Sequence, residues 1–368
     1  MELNHLELNH KEAYIMEKYI NPWIKKIKQR PFNPQRPEGS VDLYIGENPY
    51  PPSPHVLKAI AAAAENINKY PDSAGDAVKE KLAAYTKANK EQIVIGNGSD
   101  DLIELMVKVF VKQKEKVIIP IPGYFSYWRS TKIRGGVPVF VNRKDNFELD
   151  IEKIVQADAK LVFIGSPNNP TGNIVSQEEI IEILEKMDCI IVVDECYFEF
   201  SQNTVIDLLQ TYENLIVLRS LSKTFGLAGL RFGYAIAHPT LIQYFNKAIQ
   251  MYPVNKLAQA AVISSLDDLE YLKANIQKIC QEREVLTEKI GDLGFTVYPS
   301  ETNFLLVRTE ALNISGNEIV ASLKSNNIFV QNIGLKPGLD AYYFKTAIGT
   351  KEENEILLKH LKQIVSNR

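Results

Sequence analysis

IIVVD (190–194) and LIVLRS (215–220) are two short apolar runs, and each leads directly into polar residues. Four further runs have the same form, namely QIVIG (92–96), KVIIPI (116–121), LVFIGS (161–166) and GYAIA (233–237). Runs that stay apolar at successive positions are typical of strands covered on both faces. The intervening segments are long enough for the crossovers that parallel strands require. The sequence therefore predicts an α/β fold in which a mostly parallel sheet forms the middle of a three-layer αβα domain.

The character of the sequence changes twice along its 368 residues. Residues 1–40 predict a helical N-terminal arm, and residues 41–255 contain the apolar runs and predict the large domain. Residues 256–368 predict a smaller α+β domain with a long helical stretch, strands within 295–308, 327–332 and 341–349, and a closing helix. Because 45% of the residues are apolar, the chain can bury a core in each domain.

The composition indicates a soluble cytoplasmic protein. The 42 basic and 45 acidic residues nearly cancel, which argues against nucleic acid or an anionic membrane as a partner. The three cysteines form neither a disulfide framework nor a metal-ligand spacing, so we expect no metal and a reducing compartment. No apolar run approaches the roughly 20 residues of a membrane span, and the N-terminus lacks the apolar stretch of a signal peptide.

Polar clusters follow four of the apolar runs. They are Asn97-Gly98-Ser99-Asp100, Pro167-Asn168-Asn169, Glu195-Cys196-Tyr197 after Asp194, and Leu221-Ser222-Lys223 after Ser220. In open α/β sheets, ligands bind beyond the carboxyl ends of the strands. We therefore expect these clusters to line one crevice.

The residue types in this crevice suit pyridoxal-phosphate chemistry. That chemistry needs an unprotonated lysine that forms an imine and a carboxylate that keeps the pyridine nitrogen protonated. Taken singly, Lys223 would be a solvated surface lysine and Asp194 a turn or cap residue. Lys223, however, lies between apolar LIVL and glycine-rich FGLAG, where burial would lower its pKa towards a nucleophilic form. The pair therefore predicts a cofactor-bearing lysine and its supporting carboxylate.

Two groups of residues are candidates for holding a phosphate. The turn at Ser99 and Asp100 opens a helix, whose free N–H groups attract an anion, although the same residues also suit a simple helix cap. Ser220, Ser222 and Arg231 can add hydroxyls and a fork-shaped cation. GNGSDD (96–101) lacks the Gly-Lys-Ser/Thr of a Walker loop and the third glycine of a dinucleotide fingerprint.

At these residues the chain resembles fold-type I pyridoxal-phosphate enzymes of the class I/II aminotransferases, especially the histidinol-phosphate aminotransferase subgroup. The motifs that carry the resemblance are ENPYPPSP (47–54), YPDS (70–73), GNGSDDLI (96–103), PGYFSYW (122–128), SPNNPTG (166–172), VDECYFEF (193–200), LRSLSKTFGLAGLRFGY (218–234), SETNF (300–304) and IGTKEEN (348–354). They run through nearly the whole chain, so together they are highly specific.

The resemblance implies a role for each site residue. Lys223 would carry the cofactor as a Schiff base and move protons, and Asp194 would pair with the pyridine nitrogen. Asn169 and Tyr197 would contact the phenolic oxygen, and Tyr124 would stack on the ring. The phosphate would be held by Ser99, Asp100, Ser220, Ser222 and Arg231. Tyr70 would reach the cofactor of a second subunit, which implies a homodimer with shared sites.

The substrate side departs from the family pattern. Histidinol-phosphate aminotransferases carry two arginines that hold the substrate phosphate, where this chain has Gln331 and Lys345. Because arginine and lysine are not interchangeable at a bidentate site, a dianionic phosphate is disfavoured, and Lys345 would instead pair with a carboxylate. Asn169 is a further substrate contact. Compensation by Arg308 or Lys336 is the alternative.

Three functions stay open. The family default is transamination of an L-amino acid, here on a substrate other than histidinol phosphate. The second is a lyase or cyclase like the relatives that convert γ-hydroxyarginine to enduracididine, with the guanidinium bound by carboxylates of the N-terminal arm (Glu7, Glu12, Glu17). The third is a catalytically silent pyridoxal-phosphate sensor, which would normally need a DNA-binding extension.

Overall fold

The computed structural model describes residues 16–29 and 36–367. The strands are β1 Val41–Asp42, β2 Ile93–Gly96, β3 Lys116–Ile121, β4 Val137–Asn142, β5 Leu161–Gly165, β6 Ile190–Asp194, β7 Leu215–Ser220, β8 Gly233–Ala237, β9 Thr296–Val297, β10 Phe304–Arg308, β11 Ile328–Phe329, β12 Gln331–Asn332 and β13 Tyr343–Ala347. The α-helices are α1 Pro54–Ala64, α2 Asp76–Thr86, α3 Ser99–Phe110, α4 Phe125–Ile133, α5 Ile151–Gln156, α6 Gln177–Lys186, α7 Phe198–Ser201, α8 Pro239–Ala248, α9 Lys256–Leu266, α10 Leu269–Asp292, α11 Gly316–Ser325 and α12 Lys351–Ser366.

The central sheet has seven strands in the order β2-β8-β7-β6-β5-β3-β4. Strands β4, β3, β5, β6 and β7 are mutually parallel, whereas β8 pairs antiparallel with both β7 and β2. Since β2 and β7 both oppose β8, they run in the same direction. The predicted α/β class with a mostly parallel sheet is confirmed.

Both faces of the sheet are buried, which is why its strands are apolar at successive positions. Along β6, Ile191 and Val193 pack in a core with helix residues such as Ile180, while Val192 between them packs on the other face with α3 and α8 residues such as Phe245. Alternate residues of a strand point to opposite faces, so two separate helical layers are needed to cover the run.

The C-terminal part has its own sheet, with four antiparallel strands in the order β12-β13-β10-β9. A separate parallel pair joins β1 to β11, with Val41 opposite Ile328. The apolar residues of α10, α11 and α12 pack on these strands and on Leu43 in one cluster. The segment that begins at Val41 is thereby fixed against the C-terminal sheet.

The structure differs from the sequence prediction in three places. Strand β4 was not predicted, because it lies at the sheet edge, contains Pro138 and is largely half-buried or exposed. The strand predicted over 41–46 is only Val41–Asp42. The long helical stretch after residue 255 is two helices, because Asp268 takes a non-helical conformation between them (φ −125°, ψ 50°). Asp favours such breaks since its side chain competes for backbone hydrogen bonds.

Within the described residues, no helix combines the length and apolar character needed to cross a membrane. The same residues contain no group of three or more His, Cys, Asp or Glu side chains arranged to hold a metal ion.

Candidate active site

The strand order brings the predicted polar clusters to one edge of the sheet. Because β2, β5, β6 and β7 run in the same direction, their carboxyl ends meet there. Gly233, at the start of the antiparallel β8, pairs with Gly96 on one side and with Ser220 on the other. It therefore connects the polar cluster after β2 with the polar cluster after β7. A Cβ at Gly233 would lie 2.5 Å from the backbone nitrogen of Ser99, so only glycine allows this approach.

Asp194 is held as a fixed, buried carboxylate at the end of β6. Its Oδ1 accepts the backbone N–H of Cys196 at 3.0 Å, and its Oδ2 accepts the hydroxyl of Tyr127 at 2.7 Å. Burial raises the pKa of Asp194, while these hydrogen bonds favour the charged form and lower it. A carboxylate in this environment is suited to a cationic N–H partner.

Sequence reasoning did not single out Tyr127. Its ring stacks on Phe163 with centroids 4.7 Å apart, which fixes the hydroxyl against Asp194. The available signal was its position three residues after Tyr124 on α4, since residues three apart lie on the same face of a helix.

Lys223 lies in the loop after β7, and its Nζ is 3.5 Å from the carbonyl oxygen of Ile45. Burial lowers the pKa of Lys223. The next residue, Thr224, is fixed from two directions: its hydroxyl donates to Glu199 at 3.0 Å, and its carbonyl accepts the side-chain amide of Asn48 at 2.9 Å. The loop therefore holds a lysine with a depressed pKa in a defined position.

A buried ion pair joins the end of β6, which carries Asp194, to β7, which leads into the Lys223 loop. The Nε and NH2 groups of Arg219 on β7 donate to the Glu195 carboxylate at 2.9 and 2.7 Å. The guanidinium also lies 3.7 Å from the ring centroid of Phe198. Because both ions are fully buried, removing one would leave an unpaired charge at a cost of about 3–5 kcal/mol. The pair fixes the spacing of the two strand ends.

The helix α3 and the loop of Arg231 form a cradle for an anion. Ser99 is the first residue of α3, and the preceding Gly98 has φ +85°. A Cβ added at Gly98 would lie 2.6 Å from the guanidinium of Arg231, so a side chain there would clash. Arg231 lies 3.6 Å from the Asp100 carboxylate. The Ser222 hydroxyl is buried and has no hydrogen-bond partner among the described residues. Free helix N–H groups, a guanidinium and an unsatisfied hydroxyl fit a phosphate group.

The remaining cradle residues support this arrangement. The Ser220 hydroxyl accepts the backbone N–H of Ser222 at 3.2 Å. The Asp100 carboxylate accepts the hydroxyl of Tyr124 at 3.0 Å and that of Ser126 at 2.7 Å. Asp100 is thus occupied by its own neighbours, and its contribution to the cradle is the backbone N–H at the start of α3.

Asn169 and Tyr197 meet across the crevice, with the Asn169 amide donating to the Tyr197 hydroxyl at 3.5 Å. Lys345 and Gln331 face each other on the adjacent strands β13 and β12. Lys345 is only 3% exposed, and its Nζ lies 4.6 Å from the ring centroid of Phe304. Burial, and then the charges of Lys223 and Lys336, lower the pKa of Lys345 to about 7.

Four further residues were predicted to take part in the site. Tyr70 is 78% exposed and stacks on Tyr252, with ring centroids 4.4 Å apart. Glu17 is exposed and lies 3.8 Å from Lys25. Glu7 and Glu12 lie outside the described residues.

Comparison with known proteins agrees with this geometry. The model of the family "Aminotransferase class I and II" matches residues 38–361. A histidinol-phosphate aminotransferase from Methanosphaera stadtmanae is 34% identical over 337 residues, which cover 90% of this chain and 92% of that protein. One from a Thermoanaerobacter species is 36% identical over 326 residues, covering 87% and 91%.

A solved structure gives the same assignment. The histidinol-phosphate aminotransferase of Sinorhizobium meliloti in complex with pyridoxal-5'-phosphate superposes with a TM-score of 0.86 at 27% identity, covering 95% of this chain and 98% of that one. This chain therefore belongs to the class I and II aminotransferases, a family of pyridoxal-phosphate-dependent enzymes.

Proposed function

We propose that this enzyme transaminates an L-amino acid rather than histidinol phosphate, which has no carboxylate, and that Lys345 binds the substrate carboxylate. The observation that carries the proposal is the pair on β12 and β13. Lys345 is buried and has no carboxylate partner among the described residues, and its neighbour across the strands, Gln331, carries no charge. One amine suits a carboxylate, whereas a dianionic phosphate is better matched by two guanidinium groups.

The residues of the crevice fit pyridoxal phosphate. When bound, this cofactor supplies an electrophilic carbon for an amine and a ring that accepts electrons from the substrate. The cradle of Ser99, Ser220, Ser222 and Arg231 would hold its phosphate, with the Asp100 backbone N–H. Asp194 would keep the pyridine nitrogen protonated.

The remaining side chains would position the reactants. Asn169 and Tyr197 would donate to the phenolic oxygen, and Tyr124 would cover one face of the ring. Lys223 would carry the cofactor and then take and return a proton at the substrate α-carbon. Its depressed pKa supports that role, because a lysine that moves protons near neutral pH must give up its own charge easily.

Arg308 and Lys336 are the two residues that could replace the missing arginines, and their surroundings differ. The Arg308 guanidinium is 2.5 Å from Glu310 and 3.2 Å from Asp340, so it is already neutralised. Lys336 follows β12, and its positive charge helps to lower the pKa of Lys345. Lys336 is thus the cation that could support Lys345, as a second point charge rather than a guanidinium fork.

We predict that substrate capture weakens as pH rises. The pKa of Lys345 is about 7 and lies below its ordinary value, so the amine is protonated at lower pH and loses its charge as pH rises through the pKa. Only the protonated form binds a carboxylate strongly. We expect kcat/KM to fall by up to about tenfold per pH unit above pH 7.

Lys345→Arg is the matched variant, because its guanidinium stays charged. It should flatten the limb of the pH profile above pH 7. A profile that keeps the same limb in Lys345→Arg would show that another group controls it.

The alternative function is a lyase or cyclase that acts on a guanidino amino acid such as γ-hydroxyarginine. The same pair of residues supports it, since such a substrate carries a carboxylate and no phosphate. The bond that reacts depends on how the substrate is oriented, so one site can support either outcome.

The proposal includes a cytoplasmic homodimer. Tyr70 is highly exposed and stacks on Tyr252, next to the exposed Met251, which gives an aromatic and apolar surface on one protomer. A surface of this kind is suited to burial against a second copy. Tyr70 would then reach the partner's cofactor.

Product analysis tests the proposed function. The holoenzyme is incubated with histidinol phosphate, arginine or γ-hydroxyarginine, with 2-oxoglutarate as amino acceptor, and glutamate and substrate-derived products are quantified. Glutamate formed from a phosphate-free amino acid, and not from histidinol phosphate, supports the proposal. Rapid glutamate formation from histidinol phosphate contradicts it. A dehydrated cyclic product without glutamate establishes the alternative.

A further inference from the structure

The segment of residues 45–50, called the strap below, runs beside Lys223, whose Nζ is 3.5 Å from the carbonyl oxygen of Ile45. The side-chain amide of Asn303 donates to the carbonyl of Gly46 at 2.9 Å. Asn48 donates to the carbonyl of Thr224 at 2.9 Å. The strap is therefore hydrogen-bonded both to the residue that precedes β10 and to the loop that carries the reactive lysine, so its backbone is held in place.

Glu47 is the acidic residue of the strap. Its side chain is exposed and makes no hydrogen bond or ion pair with any described residue. Its charge raises the pKa of Lys223, although burial has the larger, opposite effect. The carbonyl of Glu47 accepts the side-chain amide of Asn303 at 3.4 Å, and the next residue, Asn48, is bonded to Thr224, so Glu47 is held between two fixed points beside the Lys223 loop.

The other carboxylates around Lys223 already have donors. Asp194 accepts from Tyr127, and Asp100 accepts from Tyr124. Glu199 accepts from Thr224. Within the described part of the chain, the Glu47 carboxylate is thus the one near Lys223 that is available to a ligand.

The free charges of the crevice are therefore of two signs. Among the described residues, Lys345 is a buried amine without a carboxylate partner, and it accounts for the carboxylate end of an amino acid. The Glu47 carboxylate likewise has no donor among those residues, and nothing in the proposed handling of cofactor or carboxylate uses it. A substrate that neutralises both must carry a basic group in its side chain.

We propose that Glu47 is a specificity residue that selects amino acids whose side chain ends in a basic, N–H-bearing group such as a guanidinium, ammonium or imidazole. The inference rests on the proposed function, because it takes Lys345 as the carboxylate anchor. A carboxylate gains most from a charged donor, and a neutral isostere of the same shape loses that gain. The residue acts on choice of substrate and not on the chemical step.

Paired isosteric substrates test the inference. Arginine is compared with citrulline, and lysine with 2-aminoheptanoic acid, because the members of each pair have the same side-chain length and differ in side-chain charge. The holoenzyme is assayed for kcat/KM and, from the change in cofactor absorbance, for the dissociation constant. We expect the basic member to be favoured by roughly 10- to 100-fold in at least one pair. Glu47→Gln should reduce that preference to about one, with the loss confined to the basic member.

Glu38→Gln is the matched control, since Glu38 is exposed and precedes the strap. It should keep the wild-type preference. Wild-type enzyme that does not favour the basic member in reaction or binding overturns the inference, as does Glu47→Gln that keeps the preference. An equal loss for basic and neutral substrates also overturns it, because it would mean that Glu47 acts through Lys223.

The same assays distinguish failure of the specificity proposal from failure of the proposed transamination. If basic amino acids bind preferentially and Glu47→Gln removes that preference, yet no amino group is transferred, the inference stands and transamination does not. If both members of each pair are transaminated equally, transamination stands and the inference does not.

Discussion

Lys223→Ala should abolish turnover, with kcat reduced by at least about 10³-fold. The variant removes both the covalent attachment of the cofactor and the group that moves the proton. Added alkylamines should restore part of the rate, because they can supply the proton transfer that the side chain no longer provides. The measurement is kcat with the best substrate from the product analysis, with and without added methylamine.

Lys223→Arg is the control for charge. It keeps a cation in the loop but cannot give up its proton near neutral pH. It should be as inactive as the alanine variant and should not be restored by methylamine. A Lys223→Ala enzyme that keeps more than a tenth of the wild-type rate would contradict the assignment of Lys223.

Asp194→Asn should lower kcat by about 10²–10³-fold, which is the usual effect of removing a fixed electrostatic partner at a reacting centre. The amide has the same shape as the carboxylate and can still accept the N–H of Cys196. It loses the negative charge that would hold the pyridine nitrogen protonated. Affinity for the cofactor should fall as well, and both are measured by titrating apoenzyme with pyridoxal phosphate and assaying activity.

Tyr127→Phe is the control that distinguishes the charge of Asp194 from the hydrogen bond that positions it. It removes the 2.7 Å hydrogen bond to Asp194 but leaves the carboxylate ionised. Its effect should be about tenfold, as for one hydrogen bond to a charged group. An Asp194→Asn variant no weaker than Tyr127→Phe would mean that the charge of Asp194 is not needed.

The large sheet could be predicted from sequence because its strands are buried on both faces. LIVLRS (215–220) and IIVVD (190–194) are strands with those bounds. The order β2-β8-β7-β6-β5-β3-β4 could not be predicted, since non-neighbouring segments pair through contacts that no local pattern records. The edge strand β4 has a neighbouring strand on one side only and is largely half-buried or exposed, so its sequence lacks a continuous apolar run.

The candidate site divides in the same way. Asp194 ends β6 and Lys223 follows β7, so their convergence was predictable from a parallel sheet. Their supports were not predictable, because they come from other segments through single hydrogen bonds: Tyr127 bonds to Asp194, and Asn48 and Glu199 bond to Thr224 beside Lys223. Glu47 belongs to the motif ENPYPPSP, but only the folded strap shows that its carboxylate has no partner among the described residues.

Mapping the covalently attached cofactor shows which lysine forms the Schiff base. The holoenzyme is treated with borohydride to make the bond between cofactor and lysine permanent, digested, and analysed by mass spectrometry. We expect the added mass on the peptide that contains Lys223. Added mass on Lys345, a buried lysine whose pKa is also lowered, or no added mass at all, would contradict that assignment.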